Sequence, residues 1–197
     1  MEKKILFVGN SYTYYNDMPS ALFAPMAEAA GQPVQVSLVA KGGWKLSRYA
    51  DPEDEGGKLL RETIRGQRYD CVVLQEQSFT PVVDPEQFFD GIAGVCDLLK
   101  DRAERFVLYA TWGRKTGSEK LVELGLSSIE MTEKLAEVYD QAGEKFGIQV
   151  AHAGKAFAAY QAEHPAAELY HPDKSHPSAL GSEVAAKILV GTILNSK

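Results

Sequence analysis

Two short stretches, one near each end of the 197-residue chain, hold side chains that could do chemistry together. The first is "GNSYT" (9–13), in which a hydroxyl, Ser11, follows a glycine and a small amide directly after the apolar run "KILFV" (4–8). The second is "DKSHP" (173–177), in which two residues separate Asp173 from His176 and a proline pins the turn. A serine hydroxyl is a weak nucleophile until a base stands beside it. An imidazole bonded to a carboxylate through one nitrogen has its tautomer fixed, and its other nitrogen is free to take the serine proton. Ser11, His176 and Asp173 are therefore a candidate nucleophile, base and orienting acid, provided that the fold joins the two ends. A competing reading makes "GNSYT" a backbone cradle for the phosphate of a nucleotide or flavin. Against it, "GNSYTYYN" has no second glycine, and the chain has no G-x-x-x-x-G-K stretch.

The elements that would position these residues are legible as alternating runs. Strand candidates are 4–8, "VQVSLVA" (34–40), "DCVVL" (70–74), "RFVLYA" (105–110) and "IQVAH" (148–152). Most are continuously apolar, the habit of parallel strands covered on both faces. Helices are expected from about Pro19 to Ala30, with Asn16 or Asp17 as cap and Gly31 as stop, and over about 56–66 and 85–101. A long helix starts at the capping box "SSIE" (Ser127 to Glu130), with an apolar face at Ile129, Leu135, Tyr139, Ala142 and Phe146. The last helix follows Pro177. Repeated β-α units imply one α/β domain over residues 1–197, with a parallel sheet between two helical layers. In such sheets the crevice lies beyond the carboxyl ends of the strands. "GNSYT", "KGGW" (41–44), "QEQS" (75–78) and "TWGR" (111–114) each follow a strand, so all should meet on that rim.

On these residues the chain resembles the SGNH (GDSL-type) hydrolases. "GNSYT" matches the first block of that family, and "DKSHP" matches its Asp-x-x-His-Pro block before the C-terminal helix. The resemblance implies a flavodoxin-like α/β/α sandwich with a five-stranded sheet in the order 2-1-3-4-5. It also implies a serine esterase for small acyl esters, acetyl esters of carbohydrates among them, working through a Ser11/His176/Asp173 triad and an acyl-enzyme without a cofactor. The oxyanion donors it implies are the N–H groups of Ser11 and of Gly43 or Gly42, with a side-chain amide from the third block. That block normally reads Gly-x-Asn-Asp and here reads "QEQS", so Gln77 takes the Asn position and Gln75 stays an alternative. Asn10 stands where the family usually has Asp.

Other residues have competing readings. Trp44, Trp112 and Arg114 fall in rim loops, where they could wall a substrate pocket or simply pack; Arg114 could meet an anionic substrate. Glu76 reads as hydrogen-bonding support rather than as an acid catalyst. His171 also precedes a proline and is the rival base, but it has no acid placed before it. His152 and His164 read as structural or solvated. "HPDKSH" lacks a further ligand for a metal site. A non-catalytic relative that binds sugar through its tryptophans is the remaining alternative.

Bulk properties bound the function. The chain is 45% hydrophobic, 24% charged and 10% aromatic, as for a soluble globular protein, and its net charge of −6 gives nucleic acid no electrostatic footprint. The two cysteines, Cys71 and Cys96, read as reduced thiols rather than a disulfide framework. The opening apolar run is too short for a signal-peptide core, and nothing downstream is long enough to span a bilayer, so a cytoplasmic protein with a small-molecule ester substrate is expected. Composition leaves the oligomeric state open.

Overall fold

The computed structural model describes residues 2–194. Five parallel strands, β1 (Lys3–Gly9), β2 (Val34–Ala40), β3 (Cys71–Leu74), β4 (Phe106–Ala110) and β5 (Gln149–His152), form one sheet in the order β2-β1-β3-β4-β5. This is the order expected. The order reverses at β1, which pairs with β2 on one side (Ile5 opposite Val36) and β3 on the other (Ile5 opposite Cys71). The crevice outside the carboxyl ends of β1 and β3 is thus the switch point of an open α/β sheet.

Alternate residues of each strand feed two cores. Leu6, Val8, Val72, Leu74 and Leu108 pack under α3 (Leu46–Ala50), α4 (Glu55–Thr63), α6 (Pro85–Leu99) and α8 (Ser128–Phe146). Ile5, Phe7, Val73, Val107 and Tyr109 pack under α2 (Ala24–Ala29), α9 (Ala153–Glu163) and α10 (Ala179–Leu194). Both strand faces are covered, which is why their sequences read as unbroken apolar runs. Short helices α1 (Ser11–Tyr14), α5 (Thr80–Val83) and α7 (Glu119–Leu124) complete the carboxyl rim.

Local signals account for most boundaries. Ser127 and Glu130 make the reciprocal capping box of α8, and Gly147 ends it at φ +65°. Asp84 caps α6 through the N–H of Gln87, ahead of buried Phe88, Ile92, Val95 and Leu99. Three expectations need correction. The first helix lies where expected, behind the left-handed Asn16 and Asp17 (φ 55° and 50°), but its opening part, Met18–Phe23, is a π turn that leads into α2. Pro25 has no N–H to donate, and a widened turn before it accommodates the missing bond. Ile129 is 68% exposed; the buried face of α8 runs instead through Met131, Leu135, Tyr139 and Ala142. Helix α9 follows β5 directly, where no helix was expected.

Candidate active site

β1 ends at Gly9, and the chain turns into α1 with Asn10 as its cap. The Asn10 side chain accepts from Tyr12 N (3.1 Å) and donates to the Trp44 carbonyl (2.9 Å), so it ties this turn to the loop after β2. Gly9 cannot carry a side chain, because a Cβ there would lie 2.6 Å from Thr13 Oγ1 and 2.7 Å from Gln75 Oε1. The glycine before the nucleophile segment is thus required for close packing. Ser11 occupies the first position of α1, partly exposed at the mouth of the crevice.

The C-terminal loop closes on itself before meeting Ser11. Tyr170 and Pro177 form an isolated antiparallel bridge, and His171 N donates to the His176 carbonyl (2.8 Å). Within that loop Asp173 Oδ1 accepts from Ser175 N and His176 N (2.9 Å each), and Oδ2 faces His176 Nδ1 at 2.6 Å. His176 Nε2 lies 2.8 Å from Ser11 Oγ. The three residues, 162 or more positions apart at their extremes, form one hydrogen-bonded chain. Burial alone would raise the Asp173 carboxyl, but the His176 ring and the two backbone N–H groups outweigh it and hold the group at about 2.

Residues missed in the sequence hold this chain in register. Tyr15 stacks on the His176 ring (4.4 Å between centroids, 13° between planes), and Tyr12 meets the same ring edge-on. Tyr12 OH bonds Ser175 Oγ at 2.9 Å. Asn16 Nδ2 lies within 3.1 Å of the Pro177 and Ser178 carbonyls and of Ser182 Oγ, clamping the segment after Ser11 to the start of α10. The only sequence signal for Asn16 is its type: asparagine tolerates the left-handed backbone that aims this side chain. His171 is also close to the acid, its Nδ1 3.1 Å from Asp173 Oδ2, but only His176 bonds Ser11.

The crevice around Ser11 has a volume of about 300 Å³ and is walled by Asn10, Tyr12, Gly43, Gln77, Ser78, Arg114, Asp173, Ser175 and His176. Gly43 lies in this wall at φ +73°, whereas Gly42 does not line it. Among the described residues neither Ser11 nor Gly43 engages its backbone N–H. Gln77 Oε1 accepts from Phe79 N, Thr80 N and Thr80 Oγ1 (3.1–3.2 Å). Those donors fix which end of the amide is oxygen and leave its NH₂ end at the crevice, with only Ser78 Oγ at 3.5 Å. Gln75 is corrected: it is buried, its Oε1 accepts from Asn10 N and Thr13 Oγ1, and its Nε2 donates to the Glu76 carbonyl. It braces the turn after β1 and does not line the crevice.

Glu76, between the two glutamines, is 1% exposed. Its carboxyl accepts from Leu46 N (3.1 Å), the first residue of α3, and from Gln77 N (2.6 Å). It therefore joins the loop that carries Gly43 to the loop that carries Gln77. Burial pushes this carboxyl up to about 7, against the two N–H bonds and nearby Lys45.

Both tryptophans are corrected as substrate contacts. Trp112 is fully buried, stacked between Tyr12 (5.1 Å) and Phe157 (4.0 Å), with its Nε1 donating to the Ser175 carbonyl. Trp44 is buried against Tyr49 with Lys41 and Arg48 over its ring. Arg114 does line the crevice. His152 pairs with Asp140 (2.8 Å), and His164 packs on Tyr160, both away from Ser11. Cys71 and Cys96 are free thiols, both pushed up by burial. Among the described residues no helix is long and apolar enough to cross a membrane.

No protein-family model matches this sequence, and no curated protein matches it either. Solved structures do. A DUF4886 family protein from Bacteroides uniformis superposes with a TM-score of 0.84 at 14% identity, over 100% of this chain and 84% of that one. An acetylxylan esterase from Geobacillus stearothermophilus superposes at 0.67 and 14% identity, over 99% and 95%. At that identity each shares the fold. A protein of Slackia heliotrinireducens assigned as an SGNH hydrolase is 34% identical, with a TM-score of 0.83 over 98% of this chain and 100% of its own. With that likeness over the whole of both chains, this protein belongs to the SGNH hydrolase family.

Proposed function

We propose that this protein is a serine esterase that hydrolyses small acyl esters, acetyl esters first among them. The observation that carries the reading is the bonded chain from Ser11 Oγ through His176 to Asp173, set beside backbone N–H groups that have no partner among the described residues. Ser11 Oγ attacks the ester carbon while its proton passes to His176 Nε2. The carbonyl electron pair moves onto oxygen, where the N–H groups of Ser11 and Gly43 and the amide of Gln77 hold it. Collapse expels the alcohol, which takes the proton from His176. Water then gives a proton to His176 and adds to the acyl group; the second collapse releases the acid and returns the proton to Ser11. Asp173 stays ionised and stabilises the imidazolium of each half-reaction.

The wall of the crevice supports a short acyl group. Its lining has no aliphatic side chain and its volume is at the small end for ligand pockets. A long acyl chain would lose its hydration there and gain no apolar partner. Acetylated carbohydrates suit these polar walls, with recognition by hydrogen bonds, since Trp44 and Trp112 are buried and offer no stacking platform. The two unpaired thiols suit a cytoplasmic setting. The test is a series of 4-nitrophenyl acetate, butyrate and decanoate. Wild type should turn over acetate fastest, and a fluorophosphonate should label it at Ser11. Equal rates for wild type and Ser11→Ala would end this reading.

A further inference from the structure

We propose that the substrate ester carries an anionic group, in its simplest form a carboxylate, and that Arg114 selects it. This rests on the esterase reading and gives it a substrate class.

The position of Arg114 is built rather than adventitious. The loop after β4 is fixed to α8: Gly113 N donates to Thr132 Oγ1 (2.9 Å), and Arg114 N lies 3.4 Å from Met131 Sδ. A Cβ on Gly113 would come within 2.4 Å of the Ser128 carbonyl, so this loop cannot stand further off. On its other side Trp112 is locked in the aromatic stack. The guanidinium is thereby delivered into the wall of the crevice, its Nη2 donating to Ser78 Oγ (3.0 Å) and its centre 5.9 Å from the Tyr12 ring.

What it lacks there is a counter-charge. Several cations of this molecule are paired, as Arg48 with Asp54, Lys115 with Glu168 and Lys155 with Asp140, but none of these lines the crevice. Among the described residues no carboxylate comes within 4.0 Å of Arg114, and its buried Nε has no partner. The other charged or titratable groups of the wall are Asp173, His176 and the Tyr12 phenol. Asp173 is occupied by Ser175 N, His176 N and the rings of His176 and His171. Arg114 is partly exposed, with its Nε buried and unpartnered, and its planar fork of donors matches a carboxylate. With a net charge of −6 the protein as a whole repels anions, so one that enters needs a local cation. In a crevice of about 300 Å³ the ester at Ser11 and the anion at Arg114 belong to one small molecule.

The experiment compares charged esters with neutral isosteres. With the anion on the alcohol, 4-acetoxybenzoate is set against 4-acetoxybenzamide; with the anion on the acyl group, the monoethyl ester of succinate is set against ethyl succinamate. Wild type should prefer the anion in one pair by about 10- to 100-fold in kcat/KM, the range of a hydrogen bond to a charged group. Which pair responds tells which half carries the charge. Arg114→Gln should bring the ratio below about threefold, Arg114→Lys should keep part of it, and added salt should erode it. No preference in either pair, a preference that survives Arg114→Gln, or an equal loss on charged and neutral esters would each overturn the proposal. Calorimetric binding of the two anionic esters to Ser11→Ala, with and without Arg114→Gln, reads the same site without turnover. If no ester is hydrolysed, the esterase reading fails while binding still decides the anion site; no binding of either anion overturns it.

Discussion

The groove between α8 and α9 measures about 1090 Å³, and the crevice that holds Ser11 about 300 Å³. The groove is floored by Phe157, Leu169 and the alanines Ala136, Ala158 and Ala162. Charged groups at its edge satisfy one another, as in Lys115 with Glu168 and Lys155 with Asp140. In the crevice the polar groups converge, and several donors have no partner among the described residues: the N–H groups of Ser11 and Gly43 and the Nε of Arg114. Room alone does not locate chemistry here; donors held ready without partners do. The groove is lined mainly by two helices, whereas the crevice is where four strand ends send their loops.

The contrast breaks most visibly at Ser11. Ser11→Ala should lower kcat by roughly 10³-fold or more and leave the melting temperature unchanged, because the hydroxyl is partly exposed and bonds only His176. A steady-state assay of 4-nitrophenyl acetate beside a thermal melt measures both. Activity retained by this variant would remove the distinction between the two concavities.

Asp173→Asn should cost roughly 10²- to 10⁴-fold in kcat, since the amide no longer fixes the His176 tautomer. It also has a pH signature. A carboxyl held at about 2 instead of 3.8 contributes stability that is present above pH 3.8 and is lost as pH falls through 2. The melting temperature of Asp173→Asn should therefore trail wild type at pH 6, and the gap should close toward pH 2. A loss of wild-type activity between pH 7 and pH 4 would come from a group other than Asp173.

Glu76→Gln tests how the donor loops are kept in place. Losing a carboxyl oxygen that accepts from Leu46 N or Gln77 N should loosen one loop against the other and lower kcat by about tenfold, with KM little changed. Stability moves the other way with pH. A carboxyl raised from 4.5 to about 7 makes the folded state lose stability as pH rises from 4.5 through 7, by at most about 3 kcal/mol. The melting temperature of Glu76→Gln relative to wild type should rise between pH 5 and pH 7.5. A constant difference across that range would mean that Glu76 does not titrate there.

How far the sequence reached follows the same contrast between pattern and convergence. β2 is legible residue for residue, because Val34, Val36, Leu38 and Val39 mark it as a strand even at the sheet edge, where Gln35 and Ser37 interrupt the apolar run. The second block is legible because Asp173 and His176 meet across a three-residue step, whereas the contact of Ser11 with His176 spans 165 positions and comes from the fold. Gln75 and Gln77 were not separable: they are one residue type two positions apart, and which one turns inward depends on packing against Thr13. Trp44 and Trp112 look alike as loop tryptophans until Phe157, distant in sequence, stacks on Trp112 and Arg48, four residues on, covers Trp44. Helix α9, "AGKAFAAYQAE", was missed because alanines supply little periodic contrast, and Ile129 misled because an apolar side chain at a helix start need not face the core.

The smallest expected effect belongs to the groove itself. Tyr170 OH donates to the Gly113 carbonyl (3.0 Å) and Lys115 N to the Lys174 carbonyl (2.9 Å), so two bonded chain segments stand between groove and crevice. Ala158 is exposed on α9 and lines the groove, and Ala158→Trp would fill a large part of it at a helix-propensity cost of under about 1 kcal/mol. Because the wall is held by bonds to backbone carbonyls that involve Tyr170 and Lys115 but not Ala158, kcat/KM for 4-nitrophenyl acetate should stay within about twofold of wild type. A tenfold fall with this small ester would mean that strain crosses the wall to His176, and that the groove and the crevice respond as one unit. A fall confined to larger acetylated substrates would instead show that the part of the substrate beyond the crevice reaches over the wall.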